Sequence, residues 1–168
     1  MSAVIKTATP FVIEEVLIEA LLAVGAEPKK VTSNEVGLVQ RNRLKVGDIL
    51  TNRSDYNGRQ LFRFERDRWV MMHDSDEYTA LTVGRYSEKG YTKVSKFLND
   101  VSGAYESAYG MHLEKLAEQE RIRLEEERKA RVETTRQQAI AKAKAQGYSV
   151  KETTNSKGQI LLILTRMV

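Results

Sequence analysis

The sequence predicts an α+β fold: an antiparallel sheet packed against two helices, with a long charged helical extension. Three observations carry that expectation. Asn57-Gly58 lies between β-favouring runs, as in a hairpin. Two segments, Phe11–Val24 and Val94–Ala108, repeat apolar residues at three- and four-residue steps. The stretch Met111–Gln146 contains neither proline nor glycine.

Ala3–Thr7 (AVIKT) is short and β-favouring, and Thr9-Pro10 suits an N-cap followed by proline in a first helical turn. Phe11, Ile13, Val16, Leu17, Ala20, Leu21 and Val24 then form an apolar face, Glu14, Glu15 and Glu19 a polar one, and Gly25 a stop. After Pro28 come short β-like pieces at Val31, Gly37–Val39 and Val46–Leu50, divided by Asn34, Asn42 and Gly47. Tyr56-Asn57-Gly58 predicts a type I′ hairpin. Leu61, Phe62 and Phe64 lead to a second reversal at Arg66-Asp67, and Trp69–Met72 completes a three-stranded meander. Asp74–Gly90 is polar and reads as a loop.

Helical spacing returns through Val94, Phe97, Leu98, Val101, Ala104, Tyr105 and Ala108. Met111–Gln146 then predicts a helix of about 54 Å. Its middle has only Ile122, Leu124, Ala130 and Val132 as apolar residues, too sparse for a coiled-coil seam. The i,i+4 pairs Glu125–Lys129 and Glu127–Arg131 support it as a protruding arm; the alternative is a helical hairpin turning near Thr134-Thr135. Gly147 ends the helix, Tyr148 and Val150 alternate with polar residues, and Asn155–Gly158 forms a turn. The run Ile160–Leu164 (ILLIL) reads as a central strand covered on both faces. These elements assemble into a single α+β domain of residues 1–112 and 137–168, with residues 113–136 inserted as the charged arm.

Composition excludes several chemistries. With no cysteine and only His73 and His112, disulfide scaffolds, thiolate zinc sites, cysteine nucleophiles and multi-histidine metal centres are absent. No P-loop, G-x-G-x-x-G or G-x-S-x-G motif occurs, so an enzyme is not expected and no cofactor is implied. No apolar run reaches the roughly 20 residues of a membrane helix, and MSAVIKTATP lacks a basic region followed by an apolar one. The chain therefore reads as soluble and cytoplasmic, without a membrane partner. The net charge of +4 lies wholly in residues 91–168, where 14 basic residues meet 10 acidic ones. Between Lys115 and Lys144 nine basic residues are interleaved with six glutamates, a mixture typical of a solvated, ion-paired helix.

An Ile5-Lys6-Thr7 start, the helix end Ala20–Gly25, Tyr56-Asn57-Gly58 before a strand pair, Ala141–Tyr148 leading into a Gly158 hairpin and Ile160–Arg166 follow one another in a set order. That order resembles the uncharacterised small-protein family of chloroplast and cyanobacterial open reading frame thirty-five, which has bacterial and phage relatives. The resemblance covers roughly half the chain. The family's acidic, tryptophan-rich stretch is matched only by Trp69 and His73–Glu77, and Leu113–Glu133 looks inserted. The resemblance implies a compact α+β fold and lends no activity, cofactor or catalytic residue.

The expected function is a non-enzymatic interaction module, a phage or bacterial accessory protein that binds and modulates a partner protein or a second copy of itself through the arm. Ile122, Arg123, Leu124, Arg128 and Arg131 are its candidate contact residues. The alternative is nucleic-acid binding through the basic C-terminal half and the hairpin, with Arg59, Arg63, Arg66, Arg68 and Trp69 offering phosphate contact and stacking. Phe62 and Phe64 share one strand parity and Arg63 the other, which also describes a core-facing strand with a wet side. A third class, a metal-dependent hydrolase, would use Asp74, Asp76 and Glu77, a spacing that matches no complete metal motif.

Overall fold

The structure, a computed structural model, describes residues 3–36, 43–55, 57–75 and 93–166. Its elements are β1 (Val4–Ala8), α1 (Glu14–Ala23), β2 (Lys29–Lys30), β3 (Ile49–Asp55), β4 (Gly58–Glu65), β5 (Arg68–Asp74), α2 (Val94–Ala145), β6 (Tyr148–Thr154) and β7 (Ile160–Arg166). This is the expected α+β class: an antiparallel five-stranded sheet, a second small sheet and two helices, one of them long. The chain divides into two compact units, Met1–Leu113 and Glu114–Val168. Residues 137–168 are grouped with the arm in the second of these units. The expected loop at Asp74–Gly90 and the β-like piece at Gly37–Val39 lie largely outside the described residues.

In the first unit the sheet order is β1-β5-β4-β3-β2. The meander β3-β4-β5 appears as expected, extended by β1 on one edge and the two-residue β2 on the other. Alternation along the strands makes two apolar faces. Ile49, Phe62 and Met71 stand in register across three strands and point into one cluster. That cluster also holds Val16, Leu17, Ala20 and Leu21 of α1 and Val94, Phe97, Val101, Tyr105 and Ala108 of α2. Leu50, Leu61 and Met72, also in register, face the other way into a smaller cluster with Val31 and Leu44.

The helix ends follow from local chemistry, with one departure from expectation. Thr9 does not cap α1: its hydroxyl is buried, donates to the Trp69 carbonyl and accepts from Phe11 N–H at 3.3 Å. α1 instead begins after Ile13, which has no side-chain cap of its own. The Tyr105 hydroxyl of α2 accepts the Val12 and Ile13 N–H groups at 3.2 and 3.0 Å, serving the role a cap residue would. At the other end Gly25 takes a φ of 72°, and the bonds Ala26 N–H to Leu21 and Gly25 N–H to Leu22 close a Schellman turn.

The hairpins form where expected, with different turn geometry. Asp55 pairs with Gly58, and Gly58, with a φ of 108°, itself opens β4 rather than sitting in the turn. The turn between β4 and β5 lacks glycine, and Arg66 adopts its positive φ of 64°.

α2 is one continuous helix through Gly103 and Gly110, so it combines the second core helix with the extension, and no helical hairpin forms at Thr134-Thr135. The hydroxyls of Thr134 and Thr135 instead donate back to the Ala130 and Arg131 carbonyls at 2.9 Å. In the second unit β6 and β7 pair only with each other. Asn155 Oδ1 accepts the Lys157 and Gln159 N–H groups and fixes their turn.

Candidate interaction surface

The candidate arm residues all lie on the exposed part of α2. Ile122 and Leu124 keep 48% and 52% of their surface accessible. Two residues apart on an α-helix are about 200° apart, so these two apolar side chains occupy opposite faces and no single groove takes both. Arg123 Nη2 donates to Glu120 Oε1 at 2.6 Å, and Arg121–Glu118 and Lys129–Glu125 repeat the pattern at 2.7 and 2.8 Å. These exposed i,i+3 and i,i+4 pairs favour the helical conformation. Hydrogen bonding to Arg121 and to Lys129 lowers the Glu118 and Glu125 carboxyls from their ordinary value. Arg128 and Arg131 lie along the same exposed stretch.

The second unit has an apolar surface the sequence reading missed. Of its described residues only Ala143 is buried and hydrophobic, and neither apolar cluster draws a residue from it. Leu116, Ile122, Leu124 and Val132 on the helix and Ile160, Leu161, Ile163 and Leu164 on β7 are all about half exposed. The register sets Leu161 and Ile163 on one sheet face beside Thr153 and Lys151 of β6. The opposite face carries Tyr148, Val150 and Glu152, and Glu152 receives a hydrogen bond from Arg136 of the helix. The expectation of a central strand covered on both faces is thus corrected: β7 is one strand of a two-stranded sheet, and Ile160, Leu161, Ile163 and Leu164 are about half exposed. The overlooked signal is the partner strand, since KETT (Lys151–Thr154) supplies polar neighbours to an entirely apolar run.

In the first unit, Arg59 and Arg63 of the hairpin are engaged within the fold, whereas Arg68 makes an exposed pair. Arg63 Nε and Nη2 clasp both carboxylate oxygens of Asp48 at 2.9 and 2.6 Å, and Nη2 also donates to the Arg43 carbonyl at 2.7 Å. With side chains 11% and 3% exposed, this is a buried, bidentate pair, and the Asp48 hydrogen bonds hold the guanidinium above its ordinary value. Arg59 Nε donates to the Thr51 carbonyl, and Arg68 pairs with Asp67 at 3.0 Å. Trp69 is buried, with Phe64 at its edge 5.4 Å away. Arg66 occupies the turn. An open cleft of about 460 Å³ lies alongside, lined by Val12, Val46, Phe64, Trp69, Lys45 and Arg63 among others.

His73 is also buried, with Nε2 2.7 Å from the Thr7 hydroxyl and Nδ1 2.9 Å from the Asp74 carbonyl. Asp74 is buried, and its N–H donates to Asp55 Oδ2. Burial pushes the Asp55 carboxyl above the ordinary aspartate value, against the lowering effect of the Asn57, Asp74 and Gln60 donors. Asp76 and Glu77 lie outside the described residues. Among the described residues no group of three His, Asp or Glu side chains could hold a metal ion, and no helix is long and apolar enough to cross a membrane. Comparison of the chain with protein-family models, curated proteins and solved structures finds no match.

Proposed function

We propose that the chain is a protein-docking accessory module whose second unit is the docking element. The observation that carries this reading is a folded unit of helix and hairpin with no apolar cluster of its own and eight half-exposed large apolar side chains. A two-stranded hairpin is marginal in water without a covered face. Fully burying such a side chain gains about 1.5–3 kcal/mol, so each half-exposed one leaves roughly half of that still to be gained. Covering several of them against a partner stabilises both the contact and the unit. The bidentate engagement of Arg63 by Asp48 and the burial of Trp69 favour this over the hairpin as a phosphate-binding face, because the guanidinium is already occupied by a carboxylate and the indole ring is not open for stacking.

The test is photo-crosslinking in host cells with a photoreactive residue in place of Leu124 or Ile163. Discrete adducts destroyed by protease and untouched by nuclease are expected. Nuclease-sensitive adducts, or none, would overturn the proposal.

A further inference from the structure

The arm's charges are unevenly distributed along its length. Residues 114–127 carry six glutamates (Glu114, Glu118, Glu120, Glu125, Glu126, Glu127) against Lys115, Arg121 and Arg123. Residues 128–145 carry Arg128, Lys129, Arg131, Arg136, Lys142 and Lys144 against Glu133 alone. The helix is continuous and its side chains exposed across that boundary. An acidic segment followed by a basic one is complementary to itself when reversed.

The complementarity extends to single residues. With a second copy laid antiparallel and the two-fold axis level with Leu124, Lys115 is level with Glu133, Glu120 with Arg128, Arg121 with Glu127 and Arg123 with Glu125. Glu120, Arg121, Glu127 and Arg128 lie within about 60° of Leu124 and meet across the pair, whereas Lys115 and Glu133 lie on the far side of the helix. Leu116 meets Val132, and Leu124 meets itself. The remaining pairs from Glu114 to Thr134 set a charged residue against a neutral one, so no like charges oppose each other anywhere in that span. A parallel, in-register pair would instead place every charge against its own copy. The apolar residues at matched levels, Leu116, Leu124 and Val132, are all about half exposed.

We infer that the arm pairs antiparallel with the arm of a second copy of this chain, about a two-fold axis at Leu124. This rests on the docking reading above and names the partner. Such a contact is isologous, each half-arm meeting the other half of its partner. Electrostatic complementarity selects the direction and register, and burial of Leu124, with Leu116 and Val132 flanking its face about 80° to either side, adds the apolar part.

Two experiments test it. The first uses light scattering on the full chain at low salt. The wild type is expected to be dimeric, whereas Glu120→Lys/Glu125→Lys/Glu127→Lys and Arg121→Glu/Arg123→Glu/Arg128→Glu should each dissociate at least tenfold more readily. Mixed one to one, the two variants should form a heterodimer, because every reversed charge then meets its opposite. The second keeps all natural charges and exploits the absence of cysteine. Single spin labels at Gln119→Cys and Gln138→Cys report inter-copy distances, and antiparallel arms separate labels by about 3 Å for each residue away from Leu124. The Gln138 pair should therefore lie farther apart along the axis than the Gln119 pair by about 27 Å; equal distances would overturn the antiparallel arrangement even if the charge variants fail to fold. A wild type monomeric at about 1 mM, or variants that fail to associate on mixing, would overturn the inference too. A monomer that still gives protease-sensitive adducts at Leu124 removes self-pairing and leaves the docking reading standing; no adduct removes both.

Discussion

Arg63 gives the sharpest separation between a structural and a ligand-binding role in the hairpin. Replacing it with methionine leaves the Asp48 carboxylate almost wholly buried, with the Lys45 N–H at 2.8 Å the one donor left to it among the described residues. Removing one member of a buried ion pair costs about 3–5 kcal/mol, because the survivor stays desolvated and uncompensated. For a unit of 113 residues that corresponds to a loss of roughly 12–20 °C in Tm, at about 4 °C per kcal/mol. The double variant Arg63→Met/Asp48→Leu should recover most of it, losing only about 1–2 kcal/mol for the unmet Lys45 donor. Trp69, the single tryptophan and 3% exposed, reports urea unfolding of this unit by fluorescence. An Arg63→Met variant within 1 kcal/mol of wild type, or a double variant no better than the single one, would refute the structural role.

Tyr105→Phe should cost about 1–3 kcal/mol, since it removes the acceptor of two N–H groups at the start of α1, and urea unfolding would measure it. Leu161→Lys or Ile163→Lys should change the stability of the first unit by less than about 0.5 kcal/mol while lowering binding of an apolar dye, because both side chains are already half exposed. Asp55 has a raised folded-state pKa, so the native state holds its proton more tightly than the unfolded chain. Stability therefore falls as pH rises from the ordinary aspartate value through the raised one; urea titrations across that window on wild type and Asp55→Asn should show the slope only in the wild type.

Most of the fold was legible because it depends on local patterning. The amphipathic spacing of Val16–Leu21, the meander around Phe62 and Met71 and the proline-free run beyond Gly110 each specify an element without reference to the rest of the chain. What failed depended on distant partners. Thr9-Pro10 resembles a cap, yet the Thr9 hydroxyl is drawn to the Trp69 carbonyl sixty residues away and Tyr105 does the capping. The ILLIL run was read by composition alone as a core strand, and composition does not count how many strands remain to surround it. The arm's helicity was legible, whereas its direction-dependent charge is hidden when net charge is counted over the whole stretch, because the acidic first half offsets much of the basic second half.

Gly103 and Gly110 test whether the long helix is continuous for the reason its sequence implies. Glycine inside a helix costs about 0.5–1 kcal/mol relative to alanine, through the backbone entropy it loses on folding. Both glycines are exposed, have helical dihedrals, and would present an added Cβ to no atom within 4 Å. No close approach of another element requires their small size. On one side, the helix is held by Val101, Tyr105 and Ala108 in the apolar cluster; on the other, by ion pairs such as Arg121–Glu118. Gly110 lies between them, where helix propensity is weak. Gly110→Ala should therefore stabilise the helix by about 0.5–1 kcal/mol and slow amide exchange for the turns on either side, with Gly103→Ala acting similarly. A loss of stability at Gly110→Ala would mean that the residue there needs a conformation alanine resists, and the helix would have to be broken between the body and the arm.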